Sequence, residues 1–209
     1  MNGKINGAVA LGIFGGTFDP PHIGHLILAD EARHQLGLQK VLWVLTPFPP
    51  HKEDRHILPL SERLTMLQAM LAEDPLFEVS RIDLDRSPPH YAVDTMQILR
   101  QQYPDAHLVY LMGADSLLDL PSWRHSQSFV DSCDAIGVMC RPGRQVDMVS
   151  LEEQLMGIQN KARFIQAPLL EISSSQLRAR IRSGQPFRYF IRPQVYDLIL
   201  KGHFYQEES

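Results

Sequence analysis

Six short apolar runs recur along the chain, each separated from the next by a longer stretch of mixed polar and apolar residues. The runs are AVALGIF (8–14), VLWVLT (41–46), LFEVSRI (76–82), HLVYLM (107–112), AIGVMC (135–140) and ARFIQA (162–167). Short continuous runs rich in Val, Ile and aromatic residues are typical of strands that are covered on both faces. The pattern therefore predicts six strands of a parallel sheet.

The amphipathic stretches between the runs predict helices. The first extends over residues 22–36 and ends at Gly37, a residue type common just after a helix. The second is capped by Ser61 and stopped by Pro75, and the third covers residues 94–103. Because strands and helices alternate, we expect an α/β fold, a doubly wound, Rossmann-like parallel sheet with right-handed crossovers.

The C-terminal part differs, because two helices follow each other with no strand between them. Their sequences are ISSSQLRARIRSG (172–184) and RPQVYDLILKG (192–202). Pro193 at a first helical position and Gly202 just past the end are typical boundaries of the second helix. We expect residues 1–209 to form a single domain, with 172–209 as a small helical end-piece packed on the sheet.

Composition narrows the class of protein. A chain of 209 residues with 44% hydrophobic content can bury a core without disulfides or a structural metal. The longest apolar run, at 8–14, is interrupted by Gly12, is too short to cross a membrane and precedes no signal-cleavage site. A net charge of -4 argues against a nucleic-acid-binding face. Cys133 and Cys140 are expected to be buried, reduced thiols, as in a cytoplasmic protein.

The segment GGTFDPPHIGH at 15–25 contains the clearest candidate chemistry. It follows the first strand, and ligands of open α/β sheets bind at the carboxyl ends of the strands. Gly15 and Gly16 carry no side chain that would keep a phosphate from the backbone. His22 and His25 lie on the first turn of the next helix, where imidazole N–H groups and the helix dipole both favour phosphate.

Two other interpretations of the histidine pair remain open. The pair could hold a metal ion, although zinc needs three or four protein ligands and only Asp19 is near in sequence. The histidines could instead be structural and cap local carbonyl groups. A dinucleotide-binding glycine motif and a P-loop are both absent, which removes support for hydride-transfer enzymes and P-loop ATPases.

Five segments, in the same order along the chain, resemble one family. HIGH at 22–25 resembles the signature of nucleotidyltransferases related to class I aminoacyl-tRNA synthetases, and the whole of GGTFDPPHIGH resembles the bacterial nicotinate-nucleotide adenylyltransferases. The resemblance continues in PFPPHK (47–52), GADSLLDLPSW (113–123), CRPG (140–143) and ISSSQLRARIRSG (172–184). It implies a nucleotidyltransferase domain that, with Mg²⁺, transfers AMP from ATP to nicotinate mononucleotide, giving deamido-NAD and pyrophosphate in NAD biosynthesis.

The resemblance also implies which residues bind ATP and its phosphates. They are Gly15, Gly16, Thr17, Phe18, His22, His25, Ser174, Ser175 and Arg178. His22, His25 and Arg178 would be catalytic because they hold the phosphates, and no base is needed for a nucleophile that is already an anion. An ordinary serine N-cap is the competing interpretation of the serines. Mg²⁺ would bridge phosphate oxygens and keep most of its waters, so we assign it no protein ligand.

A second set of residues is implied to bind the mononucleotide. It consists of Lys52, Tyr91, Ala92, Asp115, Trp123 and Arg141. Lys52 and Arg141 would neutralise phosphate, although a solvated loop also explains Lys52. Asp115 would accept ribose hydroxyls, and Trp123 would stack on the pyridine ring unless it is a buried core residue.

One position departs from the family pattern. Where relatives usually carry Ser-Tyr-Thr or similar, this chain has His90-Tyr91-Ala92, so one hydroxyl donor to the nicotinate carboxylate is missing. Backbone N–H groups of Tyr91 and Ala92 could replace it. Nicotinamide mononucleotide, dual specificity and a non-catalytic nucleotide sensor therefore remain alternatives. Transfer to phosphopantetheine and tRNA aminoacylation are disfavoured, and no heptad run predicts an oligomer.

Overall fold

The structure, a computed structural model, describes residues 9–48, 57–139, 146–168 and 171–206. Its six strands form one parallel sheet with the order β3-β2-β1-β4-β5-β6. They are β1 (Ala10–Gly16), β2 (Lys40–Leu45), β3 (Phe77–Ser80), β4 (His107–Gly113), β5 (Ala135–Met139) and β6 (Ala162–Ile165). Each strand lies at a predicted apolar run, so the doubly wound α/β fold is confirmed.

Helices surround the sheet. Within the described ranges they are α1 (Ile23–Leu36), α2 (Leu60–Leu71), α3 (Ala92–Gln102), α4 (Ala114–Asp119), α5 (Ser126–Ser132), α6 (Met148–Gln154), α7 (Ile158–Lys161), α8 (Ser174–Arg182) and α9 (Pro193–Lys201). The predicted helix ends at Gly37 and Gly202 are confirmed, and Gly37 has the left-handed φ of 67° that favours glycine there. None of the described helices is long and apolar enough to span a bilayer.

Three predicted helix starts are wrong, those of α1, α2 and α3, and α1 begins at Ile23 rather than at His22. Ser61 does not cap α2, because the helix begins one residue earlier and its N-cap is Pro59, whose ring restricts the backbone at the entry. The Ser61 hydroxyl instead donates to Glu62 Oε2 at 2.9 Å. Helix α3 begins at Ala92 rather than at residue 94, which puts Tyr91 and Ala92 at a helix N-terminus.

The core lies on both faces of the sheet, because successive side chains of each strand point to opposite sides. On β1, Phe14 belongs to one cluster of buried apolar residues, and Leu11 and Ile13 belong to the other. Leu177 of α8 and Val195 of α9 join the cluster that contains Phe14. The C-terminal helices therefore pack on the sheet through the same core as α1 and α2.

Strand order determines where a ligand can enter. The central strand β1 pairs with β2 on one side and with β4 on the other, so the chain leaves β1 and β4 in opposite directions across the sheet. Loops diverge at such a point and leave a crevice at the carboxyl ends of the strands. The segment after β1, which carries the histidine pair, opens into this crevice.

A buried arginine on α2 holds the loops around that crevice. Arg63 is only 2% exposed. Its guanidinium donates to the carbonyl oxygens of Thr17 at 3.1 Å, Thr46 at 2.9 Å, Pro47 at 2.7 Å and Leu58 at 2.9 Å. Burial lowers the pKa of Arg63, while the nearby Asp19 carboxylate raises it. Because these carbonyls follow β1 and β2, one side chain joins the ends of two neighbouring strands.

We expect Arg63→Met to lower the free energy of unfolding by about 3–5 kcal/mol, because the buried carbonyls lose their charged donor. Urea denaturation followed by circular dichroism measures the change. The control is Arg182→Met at an exposed position of α8, which we expect to change stability by no more than about 0.5 kcal/mol. A wild-type denaturation curve for Arg63→Met would contradict this account of the loops.

Candidate active site

A cavity of about 480 Å³ lies at the carboxyl ends of β1 and β4. Its walls come from the turn after β1, the first turn of α1, the start of α4 and the start of α8. The predicted residues that line it are Gly15, Gly16, Thr17, Phe18, His22, His25, Asp115, Trp123, Ser174, Ser175 and Arg178. Segments distant in sequence thus meet at one crevice, as the resemblance implies.

A smaller cavity of about 170 Å³ adjoins the first, and Gly15, Tyr110 and Trp123 line both. Tyr91 and Ala92 line the smaller one. Trp123 is half-buried, with its ring 5.4 Å from a neighbouring phenylalanine ring, so it is not a fully buried core residue. The predicted residues therefore divide between two adjoining compartments.

Two predicted site residues lie outside the described ranges. Lys52 belongs to the undescribed segment 49–56, and Arg141 belongs to 140–145, as does Cys140. Their proposed roles stay predictions.

The histidine pair has a defined hydrogen-bond pattern. His22 is the N-cap of α1 rather than its first helical residue, and its backbone N–H donates to His25 Nδ1 at 3.1 Å. The two rings stack with centroids 3.6 Å apart. Since Nδ1 of His25 accepts, the proton of its neutral imidazole lies on Nε2, a donor suited to a phosphate oxygen. A structural role, in which His25 binds local backbone, thus accounts for Nδ1. Phosphate binding would use Nε2.

Metal binding by the pair gains no support. Among the residues that the structure describes, no group of three or more His, Cys, Asp and Glu side chains is placed to hold an ion.

The two glycines that end β1 are also required by the packing around them. A β-carbon on Gly15 would lie 2.5 Å from the hydroxyl oxygen of Tyr110, and one on Gly16 would lie 2.8 Å from Cζ of Phe18. The space beside both α-carbons is therefore filled by aromatic side chains of the protein itself. Both glycines still line the large cavity, where their backbone can approach a ligand.

The start of α8 is tied to the turn after β1. Ser173 is the N-cap, and its hydroxyl accepts from a backbone N–H in the first turn at 3.2 Å. Ser174 donates its hydroxyl to the Pro20 carbonyl at 2.9 Å, and Ser175 Oγ accepts from Arg178 Nη2 at 3.3 Å. The N-cap interpretation therefore applies to the first serine, and the other two belong to the cavity wall.

Asp19 connects this wall to the C-terminus of the described chain. Arg178 Nη1 donates to the Asp19 carbonyl at 2.6 Å and lies 3.7 Å from Asp19 Oδ2. Tyr205 donates its hydroxyl to Asp19 Oδ1 at 2.7 Å. The sequence contains no motif that points to Tyr205, and we had not predicted it as a site residue.

The smaller cavity is bounded by a second polar network, also not predicted. Arg86 Nε donates to Asp83 Oδ1 at 3.0 Å, and Arg86 Nη2 donates to the Tyr91 carbonyl at 3.3 Å. Thr95 donates to the same Asp83 oxygen at 2.8 Å. These contacts hold the backbone at the start of α3, where the first N–H groups of a helix have no intrahelical acceptor.

Two further side chains give this cavity its charge. The guanidinium carbon of Arg124 lies 5.6 Å from the centre of the Tyr91 ring, and Arg124 lines the cavity. His90 is 5% exposed, and its Nδ1 has no hydrogen-bond partner among the described residues. Burial, and then the Arg86 charge, lower the pKa of His90, so the imidazole is neutral near pH 7. Asp83 also lines the cavity, with its carboxylate paired to Arg86, so the compartment presents the Arg124 cation, one paired carboxylate and one neutral, buried ring nitrogen.

The contact between Gly15 and Tyr110 predicts that removing the Tyr110 hydroxyl compensates for a methyl group added at position 15. We expect Gly15→Ala to lower the free energy of unfolding by about 1–3 kcal/mol, because the added methyl overlaps the Tyr110 hydroxyl. In a Tyr110→Phe background the same change should be nearly neutral, since the next ring atom lies 3.4 Å from the methyl position. Urea denaturation of the four proteins measures the coupling. Equal costs in both backgrounds would show that the overlap is not the cause.

Comparisons with known proteins agree with this site. The family model described as cytidylyltransferase-like matches residues 13–180. A Thermomicrobium roseum protein with the name probable nicotinate-nucleotide adenylyltransferase is 40% identical over 196 residues, covering 94% of this chain and 91% of that protein. A relative with the same name from Roseiflexus sp. (strain RS-1) is 40% identical over 179 residues, covering 86% and 89%.

A solved structure shows the same fold. The Plasmodium falciparum nicotinic acid mononucleotide adenylyltransferase complexed with NaAD superposes with a TM-score of 0.78 at 20% identity, covering 94% of this chain and 97% of that one. Together with the extent and identity of the match to its relatives, the motifs around the crevice show that the chain belongs to the nicotinate-nucleotide adenylyltransferase family.

Proposed function

We propose that the protein transfers AMP from ATP to nicotinate mononucleotide, giving deamido-NAD and pyrophosphate. The observation that carries the proposal is the pair of adjoining cavities, which share Gly15, Thr46, Tyr110 and Trp123. The larger has the histidine pair and the start of α8, which suit a triphosphate, and the smaller suits an aromatic ring. Two nucleotides bound in this way would meet beside the turn after β1. The names of the relatives support the same reaction.

The reaction needs little covalent assistance from the protein. A phosphate oxygen of the mononucleotide attacks the α-phosphorus of ATP and forms the new P–O bond. The bond from that phosphorus to the bridging oxygen breaks, and pyrophosphate leaves with the electron pair. The attacking phosphate is already an anion near neutral pH, since its second pKa is about 6. Catalysis then consists of aligning two anions and stabilising the charge that builds on the phosphate oxygens.

The residues after β1 supply that stabilisation. His25 would donate Nε2–H to the α-phosphate, since its Nδ1 accepts from the His22 backbone. The N-terminus of α1 lies beside the same oxygens and favours negative charge. Arg178 would hold the β- and γ-phosphates with Ser175, and Ser174 keeps the start of α8 against the turn. Asp115, in the first turn of α4, would accept ribose hydroxyls.

ATP is proposed to enter with Mg²⁺, which neutralises phosphate charge when bound. We also propose that the protein acts in the cytoplasm on small molecules. Cys133 is buried and free, and burial raises the pKa of its thiol to about 12, so it is an unreactive thiol as expected in a reducing compartment.

The smaller cavity is proposed to select the acid over the amide. A nicotinate carboxylate carries a charge that a carboxamide lacks, and Arg124 places a cation at this cavity. The backbone N–H groups at the start of α3 are suited to the same anion. The neutral imidazole of His90 adds a buried ring nitrogen, Nδ1, that would hydrogen-bond to the bound mononucleotide. These groups would replace the hydroxyl that Ala92 lacks.

We expect purified protein with ATP and Mg²⁺ to release pyrophosphate with nicotinate mononucleotide much faster than with nicotinamide mononucleotide. In Arg124→Gln the ratio of the two kcat/KM values should fall about tenfold, because charge-assisted attraction of the carboxylate is lost. The matched control is Arg188→Gln, whose guanidinium lies 5.8 Å from the Tyr196 ring on the exposed surface. Equal rates of pyrophosphate release by the wild-type protein with the two mononucleotides would indicate dual specificity. No pyrophosphate release with either one would favour the non-catalytic nucleotide sensor.

The role of His25 has its own test. We expect His25→Ala to lower kcat by about 10²- to 10³-fold, because a donor to the charged transition state is removed. His34→Ala, at an exposed position of the same helix, is the control and should retain wild-type kcat. Circular dichroism establishes that both variants are folded. A folded His25→Ala protein with near-normal turnover would rule out phosphate holding by this residue.

A further inference from the structure

The chain turns back after α9 and reaches the wall of the large cavity. Tyr205 donates its hydroxyl to Asp19 Oδ1 at 2.7 Å across 186 positions of sequence. Its ring and that of Phe204 pack against the core cluster below. His203 and Tyr205 have φ values of 51° and 63°, a left-handed conformation that side-chain-bearing residues rarely adopt. The turn is therefore held in an unfavourable conformation that brings one hydroxyl to one buried carboxylate.

The Asp19 carboxylate has one hydrogen-bond donor among the described residues, and its second oxygen, Oδ2, has none. Asp19 is 3% exposed, and Tyr205 occupies its Oδ1. Its Oδ2 lies 3.7 Å from Arg178 Nη1, beyond a normal hydrogen bond, while the same Nη1 donates to the Asp19 carbonyl at 2.6 Å. Burial raises the pKa of the Tyr205 phenol, and the Asp19 charge raises it further, so the phenol keeps its proton. Arg178 is thus directed by the Asp19 backbone and only loosely attracted by its carboxylate.

We propose that Tyr205 is a positioning residue for ATP, which, by hydrogen-bonding Asp19, keeps the Arg178 guanidinium directed at the cavity. The inference rests on the proposed function, in which Arg178 binds ATP phosphates. Without the phenol, Oδ1 of a buried carboxylate would lack a donor, and such a group is strongly destabilised. The Arg178 guanidinium lies 3.7 Å from the other oxygen, Oδ2, and is near enough to shift onto the bare carboxylate and bind both oxygens in a two-pronged ion pair. Its N–H groups would then be withdrawn from Ser175 and from the cavity.

This mechanism predicts an effect on one substrate. ATP binding depends on the direction of Arg178, whereas the smaller cavity has no residue in this network. Tyr205→Phe keeps the ring that packs on the core and removes only the hydroxyl. We expect the KM for ATP to rise about tenfold, the value of one hydrogen bond to a charged group. The KM for nicotinate mononucleotide and kcat should change less than about twofold.

A double-mutant cycle tests whether Tyr205 acts through Arg178. Tyr205→Phe is measured alone and in an Arg178→Ala background, with kcat/KM for ATP from pyrophosphate release. Dissociation constants for a non-hydrolysable ATP analogue come from calorimetry. We expect the tenfold effect of Tyr205→Phe to fall below about twofold once Arg178 is absent. Tyr189→Phe, at a position 86% exposed, is the matched control and should leave every constant unchanged.

The outcomes separate positioning from a merely structural role. An unchanged KM for ATP in Tyr205→Phe, whether or not the melting temperature falls, would overturn the inference. So would a Tyr205→Phe effect of equal size in the two backgrounds. If the wild-type protein releases no pyrophosphate with either mononucleotide, the proposed function fails, and the analogue's dissociation constants still decide whether Tyr205 acts on nucleotide binding. Should Tyr205→Phe not fold, the same change is made in an Asp19→Asn background, which keeps the carbonyl that binds Arg178 and leaves no bare carboxylate to capture it. Relative to Asp19→Asn alone, the KM for ATP should then change less than about twofold, and a tenfold rise would overturn the inference.

Discussion

The active site depends on backbone carbonyls that face inward where the strands end and must be satisfied there. Parallel strands that stop side by side leave such groups above the core, and loops rich in proline have few N–H groups to offer them. Arg63 resolves this for the loops after β1 and β2 by donating to the carbonyls of Thr17, Thr46 and Pro47. Because a guanidinium is planar and rigid, it also sets the distance between these loops. Arg63 thus fixes the loop after β2 against the turn after β1, on one side of the crevice.

The crevice is assembled from segments far apart in sequence, and polar contacts join them in addition to the apolar packing of the core. Ser174 on α8 binds the Pro20 carbonyl, and Arg178 binds that of Asp19. Apolar packing tolerates small displacements, whereas hydrogen bonds restrict both distance and direction. Alignment of two phosphates requires such restriction, since a displacement of about 1 Å can cost two orders of magnitude in rate. Polar contacts are therefore placed where the geometry must be accurate.

Much of this architecture could be predicted from the sequence. All six strands follow from apolar runs, and the histidine pair follows from its place after the first strand. The prediction that Ser61 caps α2 was wrong because serine also occurs within the first turn of a helix. Arg63 lies at helical spacing from the buried Met66 and Met70, on the same face of α2. A cation on an otherwise apolar face was the one sequence feature from which its burial could have been predicted. Tyr205 gave no signal, because its partner lies 186 positions away and only tertiary structure brings them together.

The contact between Asp19 and Tyr205 has a consequence for biosynthesis of the chain. Translation is directional, so the sheet, which ends at Ile165, leaves the ribosome before the residues that close the cavity wall. A nascent chain that has folded its sheet already displays the histidine pair, but Arg178 and Tyr205 are still missing. Contacts of such long sequence separation also form late, because the loop they close is long. The nucleotide site is therefore completed only after α8 and Tyr205 have followed the sheet out of the ribosome, and a chain released before that point would lack both Arg178 and Tyr205.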